Sequence, residues 1–144
     1  MNTHTTPTAA DDPEVARAAK LDTAALSDAL DRLGIVGQCT RIMPRDNGFR
    51  MAGRAYTVLY RLAGDGDEGH VGDFIDDVAP GSVIVIDNAG RDTMGTWGNI
   101  LTEMSHLRGM AGTVIDGNCS DVALCRELGY PIFSSHHWMR TGKG

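Results

Sequence analysis

Two apolar runs constrain this chain most: SVIVIDNAG at 82–90 and AGTVIDG at 111–117. Each is too short for a buried helix, rich in β-branched residues, and continuous rather than alternating. Runs of that kind predict strands covered on both faces, the pattern of a parallel sheet. Segments of helical character follow each run, NILTEMSHLRGM at 99–110 and CSDVALCRELG at 119–129. AGRAYTVLYRLA at 52–63 is a further strand candidate through Tyr56, Thr57, Val58 and Tyr60, and YPIFSS at 130–135 is a last one. HVGDFIDDVA at 70–79 predicts a short helix ended by Pro80 and Gly81. Strands thus alternate with helices from about residue 55, which predicts one α/β layered domain.

The first third has a different texture. Residues 1–11 are polar and aperiodic and predict a disordered tail, so the domain is expected over 12–144. Asp12 is a candidate N-cap with Pro13 at the first helical position. A second helix fits DTAALSDALDRLG, where Ala25, Leu26, Ala29, Leu30 and Leu33 recur at helical spacing and Gly34 stops it. IVGQCTRIMPRDNGFRM then predicts a connection with a turn at Asp46–Asn47–Gly48, and GDGDEG at 64–69 an acidic loop. The chain stops in HHWMRTGKG, a polar stretch just after a strand. That ending leads us to expect closing strands that are absent from the chain or supplied by a second polypeptide.

A net charge of −6 over 144 residues argues against nucleic acid as a main partner. No apolar run is long enough to span a bilayer. The three cysteines, Cys39, Cys119 and Cys125, are odd in number without metal-type pairing, which suits free thiols in a reducing cytoplasm.

Ligands of open α/β sheets bind beyond the carboxyl ends of strands. Three such ends carry chemistry here: IDNAGRD, MGTWGNIL and VIDGNCSDVALC. Gly95 and Gly98 flank Trp97 just before a helix, where free N–H groups favour a carboxylate or phosphate. The competing account is a glycine loop fitted around a packed Trp. In the third end, Ser120 is a natural N-cap and Asp121 an acid favoured by the helix dipole. Asp121 is equally a candidate ligand for a hard cation, with Asp116, Asp87 and Asp92 as further or supporting carboxylates. Cys119 near a helix start is a weaker candidate nucleophile. His70, His136 and His137 are more often structural or solvent-facing than functional.

Taken together, LSDALDRLG, AGRAYTV, HVGDFIDDVAPGSVIVIDNAG, GTWGNILTEMSHLRGMAGTVIDGNCSDVA and LGYPIFSS resemble the RraA-like family over residues 20–144. That family includes the regulator of ribonuclease activity A and the class II 4-hydroxy-4-methyl-2-oxoglutarate aldolases. The resemblance implies a swivelling β/β/α sandwich, assembled as a homo-oligomer (trimer or hexamer) with sites between subunits. It implies a lyase using Mg²⁺ or Mn²⁺ to cleave 4-hydroxy-2-oxo acids to pyruvate or to decarboxylate oxaloacetate. By motif, the GTWGNIL loop would hold a small carboxylate substrate through N–H groups near Ile100 and Leu101, with Gly95, Trp97, Gly98 and Asp116 around it. Asp121 matches the metal-binding aspartate, and the cation would polarise the 2-oxo group and stabilise the pyruvate enolate.

Two positions depart from the family pattern. Its motif reads Asp-Gly, two residues, then Arg-Asp, and Ser120 stands where that arginine is expected. The residue after the Trp-Gly pair is usually acidic, and here it is Asn99. A serine hydroxyl cannot replace a fixed guanidinium fork, and asparagine cannot act as a base. Asp121, Ser120 and Asn99 are therefore the candidate catalytic set, with Arg140 or Arg91 as substitutes for the missing charge. The same departures suit two other outcomes: a scaffold repurposed for another small-molecule reaction, or a non-catalytic subunit or regulator acting through protein contacts.

Overall fold

A computed structural model describes residues 12–64 and 72–140. The expected tail at 1–11, most of the acidic loop with His70, and residues 141–144 lie outside the described residues. Helix α1 spans Pro13–Ala18, with the Asp12 carboxylate accepting from the N–H groups of Glu14 and Val15. Helix α2 spans Thr23–Arg32, capped by Asp22, and ends before Gly34, whose φ of 68° lies in the left-handed region. The expected apolar stripe of α2 is present, yet none of its residues is buried.

The strands are β1 (Met43–Pro44), β2 (Ala55–Leu59), β3 (Val83–Gly95), β4 (Gly112–Cys119) and β5 (Ile132–His137). They form one sheet in the order β1-β5-β4-β3-β2. β2, β3, β4 and β5 pair in parallel, as the β-branched runs predict, and β1 adds an antiparallel edge within the segment expected to be a plain connection. A 3₁₀ helix, Asp73–Asp77, stands where a short helix was expected. Helices α3 (Asn99–Leu107) and α4 (Val122–Leu128) make the two later crossovers.

The core lies on one face of the sheet. Ile84, Ile86, Ile115 and Ile132 meet Ile75 and Val78 near the 3₁₀ helix, Val122 and Cys125 of α4, and Trp97 and Tyr130. The opposite face carries Thr57, Val85, Val114 and Phe133, which stay half-buried or exposed. The expectation of strands covered on both faces is therefore met on one face only among the described residues.

Two strands run further than expected. β3 continues through Arg91–Gly95, a segment expected to be loop, by shifting its register against β4 after Asp87 and again after Arg91. These irregularities leave room for extra residues at the sheet end and aim the chain toward α3. β5 includes His136 and His137, expected in a polar tail, because Asn118 and Cys119 of β4 still pair with them.

Candidate active site

The carboxyl ends of β3 and β4 meet at the turn between Gly95 and Asn99. Trp97 in this turn is 2 % exposed. Its ring stacks parallel to Tyr130 at a centroid distance of 6.3 Å. Its Nε1–H donates to Thr102 Oγ1 at 2.9 Å, and the Thr102 hydroxyl donates to Gly98 O at 3.1 Å. Backbone bonds from Thr96 N to Asn118 O and from Ser120 N to Trp97 O tie the turn to the end of β4. Trp97 is thus a packed core residue, and the turn around it still forms a cleft wall. The glycine loop fitted around a packed Trp is the observed arrangement.

Helix α3 starts at Gly98 without a side-chain cap, so the N–H groups of Asn99, Ile100 and Leu101 have no carbonyl within the helix. Asp121 sits at the head of α4 in the left-handed conformation, with φ 55° and ψ 47°, and its carboxylate makes no cap bond to α4. That carboxylate turns to α3 instead, where Oδ2 accepts from Asn99 N at 3.4 Å. Gly98 permits the approach, since a Cβ there would lie 3.1 Å from Asp121 Oδ2.

Ser120, expected as the N-cap of α4, does not fill that position. Its buried hydroxyl carries one proton and faces two acceptors, Trp97 O at 2.9 Å and Asp121 Oδ2 at 3.3 Å. The residue where the family arginine was expected therefore braces the turn.

These residues border a cleft of about 460 Å³, within the usual range for small-molecule sites. Gly95, Trp97, Gly98, Asn99, Ile100, Leu101 and Asp121 all line it. The 3₁₀ helix contributes Ile75 and, at its start, Gly72 and Asp73. Asp73 is a carboxylate that sequence spacing did not single out. Only packing brings it here, with Gly72 against the Leu101 side chain. Among the described residues, none that lines the cleft is Lys, Arg or His.

Other sequence candidates lie elsewhere. Asp116 is not part of the cleft wall, and it sits beside Asp87 in register and near Gly90. Asp87 accepts from Ala89 N at 2.8 Å, and the Asp92 carbonyl accepts from Asn118 Nδ2. Arg91 donates to Tyr60 O, Asn88 O and Asn88 Oδ1, which holds its guanidinium at the β3 bulge. Arg140 reaches the turn through its backbone, where its carbonyl accepts from Gly95 N at 2.7 Å. Cys119 is fully buried against Ser134, and burial pushes its thiol above the usual range, opposite to what a nucleophile needs. His136 and His137 are exposed and line no part of the cleft.

The family model described as Aldolase/RraA matches residues 23–144. The chain belongs to the RraA-like family. It is 38% identical over 124 residues to Protein DlpA of Legionella pneumophila subsp. pneumophila, covering 85% of this chain and 20% of that one. A Halalkalibacterium halodurans protein with the provisional name 4-hydroxy-4-methyl-2-oxoglutarate aldolase is 34% identical over 113 residues, covering 78% of this chain and 51% of that one. The chain thus spans a fifth and about half of the lengths of these two relatives. Among solved structures, Streptomyces coelicolor RraAS2, described as an unusual member of the RNase ES inhibitor RraA family, superposes with a TM-score of 0.80. That match has 26% identity and covers 92% of this chain and 68% of the other. The RraA-type α/β fold expected from the motifs is the observed one. Among the described residues no helix is long and apolar enough to cross a membrane.

Proposed function

We propose that this RraA-like chain is a metal-dependent carbon–carbon lyase for a small 2-oxo acid, by aldol cleavage or oxaloacetate-type decarboxylation. One observation carries the reading: the Asp121 carboxylate and the start of α3, where the N–H groups of Ile100 and Leu101 have no carbonyl within the helix, share a single small cleft. The N–H groups at Ile100 and Leu101 suit a substrate carboxylate, and the apolar walls of Ile75, Leu101 and Met104 suit its carbon chain.

Among the described residues, no three His, Cys, Asp or Glu side chains converge. A donor set of that size fits Mg²⁺ or Mn²⁺, which take one or two carboxylates and complete their shell with water and substrate oxygens. Asp121 would hold the ion, with Asp73 a second carboxylate in the same cleft. Bound there, such an ion would act as the Lewis acid for the 2-oxo oxygen. Asn99 can orient a hydroxyl or water by hydrogen bonding, and Ser120 keeps the turn that carries Asp121 in place. The chain is proposed to act as a cytoplasmic homo-oligomer.

The test is pyruvate release from oxaloacetate and from 4-hydroxy-4-methyl-2-oxoglutarate with Mg²⁺. Release above the metal-only background, lost in Asp121→Ala, is expected. Background rates with both substrates would overturn the lyase reading. The absence of any cationic side chain from the described cleft wall favours a second reading, a family scaffold serving another ligand or acting as a non-catalytic subunit. Background rates together with a stable complex with a co-purifying protein would favour it.

A further inference from the structure

Two walls of the cleft, the 3₁₀ helix and α3, touch at two places. At one, Gly72 comes so close to Leu101 that a Cβ on Gly72 would lie 3.1 Å from Leu101 Cδ2. At the other, Arg108 at the end of α3 grips Asp76 of the 3₁₀ helix. Its Nη1 donates to Asp76 Oδ1 and its Nη2 to Asp76 O, each at 2.8 Å. The two places are about 8 Å apart along the 3₁₀ helix and about 10 Å apart along α3, so the elements run side by side. On its other side the 3₁₀ helix rests on apolar contacts, with Phe74 stacked on Tyr56 and Ile75 in the core. Charge works against closing the walls: Asp73 and Asp121 both line the cleft, and among the described residues none that lines it is Lys, Arg or His. Arg108 stands outside the lining and brings positive charge to the acidic 3₁₀ helix.

We propose that Arg108 is a positioning residue of the cleft: its fork on Asp76 holds the 3₁₀ wall, with Asp73 and Ile75, at a fixed spacing from α3. The fork takes the carboxylate and the main-chain carbonyl of one residue, so it fixes backbone as well as side chain. A lysine has no planar fork and cannot reproduce both bonds in that geometry. The pair is partly open to water, so its strength is modest and the wall it holds can yield. A cation that served only the dipole at the end of α3 would leave the 3₁₀ helix undisturbed when removed. For ligand binding the proposal rests on the reading that this cleft is a lyase site, whereas the spacing of the walls does not depend on it.

The test is hydrogen exchange of the intact chain, read by mass spectrometry over Asp73–Asp77 and, as a control, over β4, in Arg108→Met, Arg108→Lys and Asp76→Asn. Ile75 N, which donates to Gly72 O, is a reporter within the first segment. Arg108→Met should speed exchange over Asp73–Asp77 by up to about fivefold and leave β4 unchanged. Arg108→Lys should fall between it and wild type. Asp76→Asn should change least, because its amide oxygen and main-chain carbonyl still accept. With oxaloacetate as substrate, KM of Arg108→Met should rise by up to the same factor at unchanged kcat. A chain that is only less stable would instead exchange faster in both segments and lose kcat at unchanged KM. Equal exchange over Asp73–Asp77 in wild type and Arg108→Met overturns the proposal, as does faster exchange there with an unchanged KM. A wild type that releases no pyruvate overturns the lyase reading, and exchange alone then decides whether Arg108 holds the wall.

Discussion

Thr102 stands between the core and the cleft. It is 1 % exposed, accepts from Trp97 Nε1 and donates to Gly98 O, so one hydroxyl positions both the indole and the residue that opens α3. Thr102→Val keeps the shape and leaves a buried indole N–H unpaired. We expect a loss of roughly 1–3 kcal/mol, read as a lower denaturant midpoint at unchanged slope. Ser120 tests the chemistry. If a guanidinium fork is what the cleft lacks, Ser120→Arg should raise pyruvate release from oxaloacetate by about 10²-fold, and Ser120→Lys by less, because an ammonium is not a planar fork. No change in either variant would show that missing charge is not what limits turnover. At this scale the sequence was informative about residue type and poor about direction. The DGNCSD turn was legible as a strand end running into a helix, with Asp121 at the head of that helix. The left-handed backbone of Asp121 and its turn toward α3 were not, and the latter depends on Gly98 arriving from another strand end.

Elements formed where local signals were strong. Asp12, Pro13 and Gly34 mark helix ends as expected, and β-branched runs became parallel strands. The extension of β3 through Arg91–Gly95 and the inclusion of His136 and His137 in β5 were not legible. Their pairing comes from register shifts against β4 rather than from alternation in their own residues. Asp73 was hidden likewise, since only the packing of the 3₁₀ helix against α3 brings it to the cleft. Helix α1 shows how a polar contact can seat an element that buries nothing. The Asp12 carboxylate caps it and also accepts from Arg54 Nε at 2.6 Å and Nη2 at 3.1 Å, next to β2. The Arg54 hydrogen bond holds the Asp12 carboxyl below the usual carboxylate range. A lowered folded pKa means the contribution is full above the unfolded value of 3.8 and is lost as pH falls through the folded value. Asp12→Ala should speed tryptic cleavage at Arg17 and Lys20 at neutral pH without loss of core structure by circular dichroism. Wild type should approach the variant's behaviour, followed with an acid-active protease, only at strongly acidic pH.

For the whole molecule, the question is what covers the surface the sheet leaves open. Parallel sheets are ordinarily packed on both faces, yet here one face carries Thr57, Val85, Val114 and Phe133 with no helix over it among the described residues. Among the described residues β2 ends the sheet, with Leu59 56 % exposed, and leaves an edge that invites another strand. Leu33 and Val36, in and after the cap of α2, add apolar surface that a lone protomer would leave in water. Removing such surface from water contributes about 25 cal/mol per Å², so contact between copies through it would be stabilising. We therefore expect this chain, purified alone, to scatter light as a multiple of 15.4 kDa, with a trimer or hexamer the assemblies that family resemblance implies. Val85→Glu places a charge at the centre of the open face while its backbone pairing with Thr57 and Val114 persists. It should shift the mass toward one protomer if that face is the contact. A wild-type mass of 15.4 kDa at micromolar concentration, with no binding of a hydrophobic dye, would show that the open face is stable in water by itself and would remove the reason for expecting partners there.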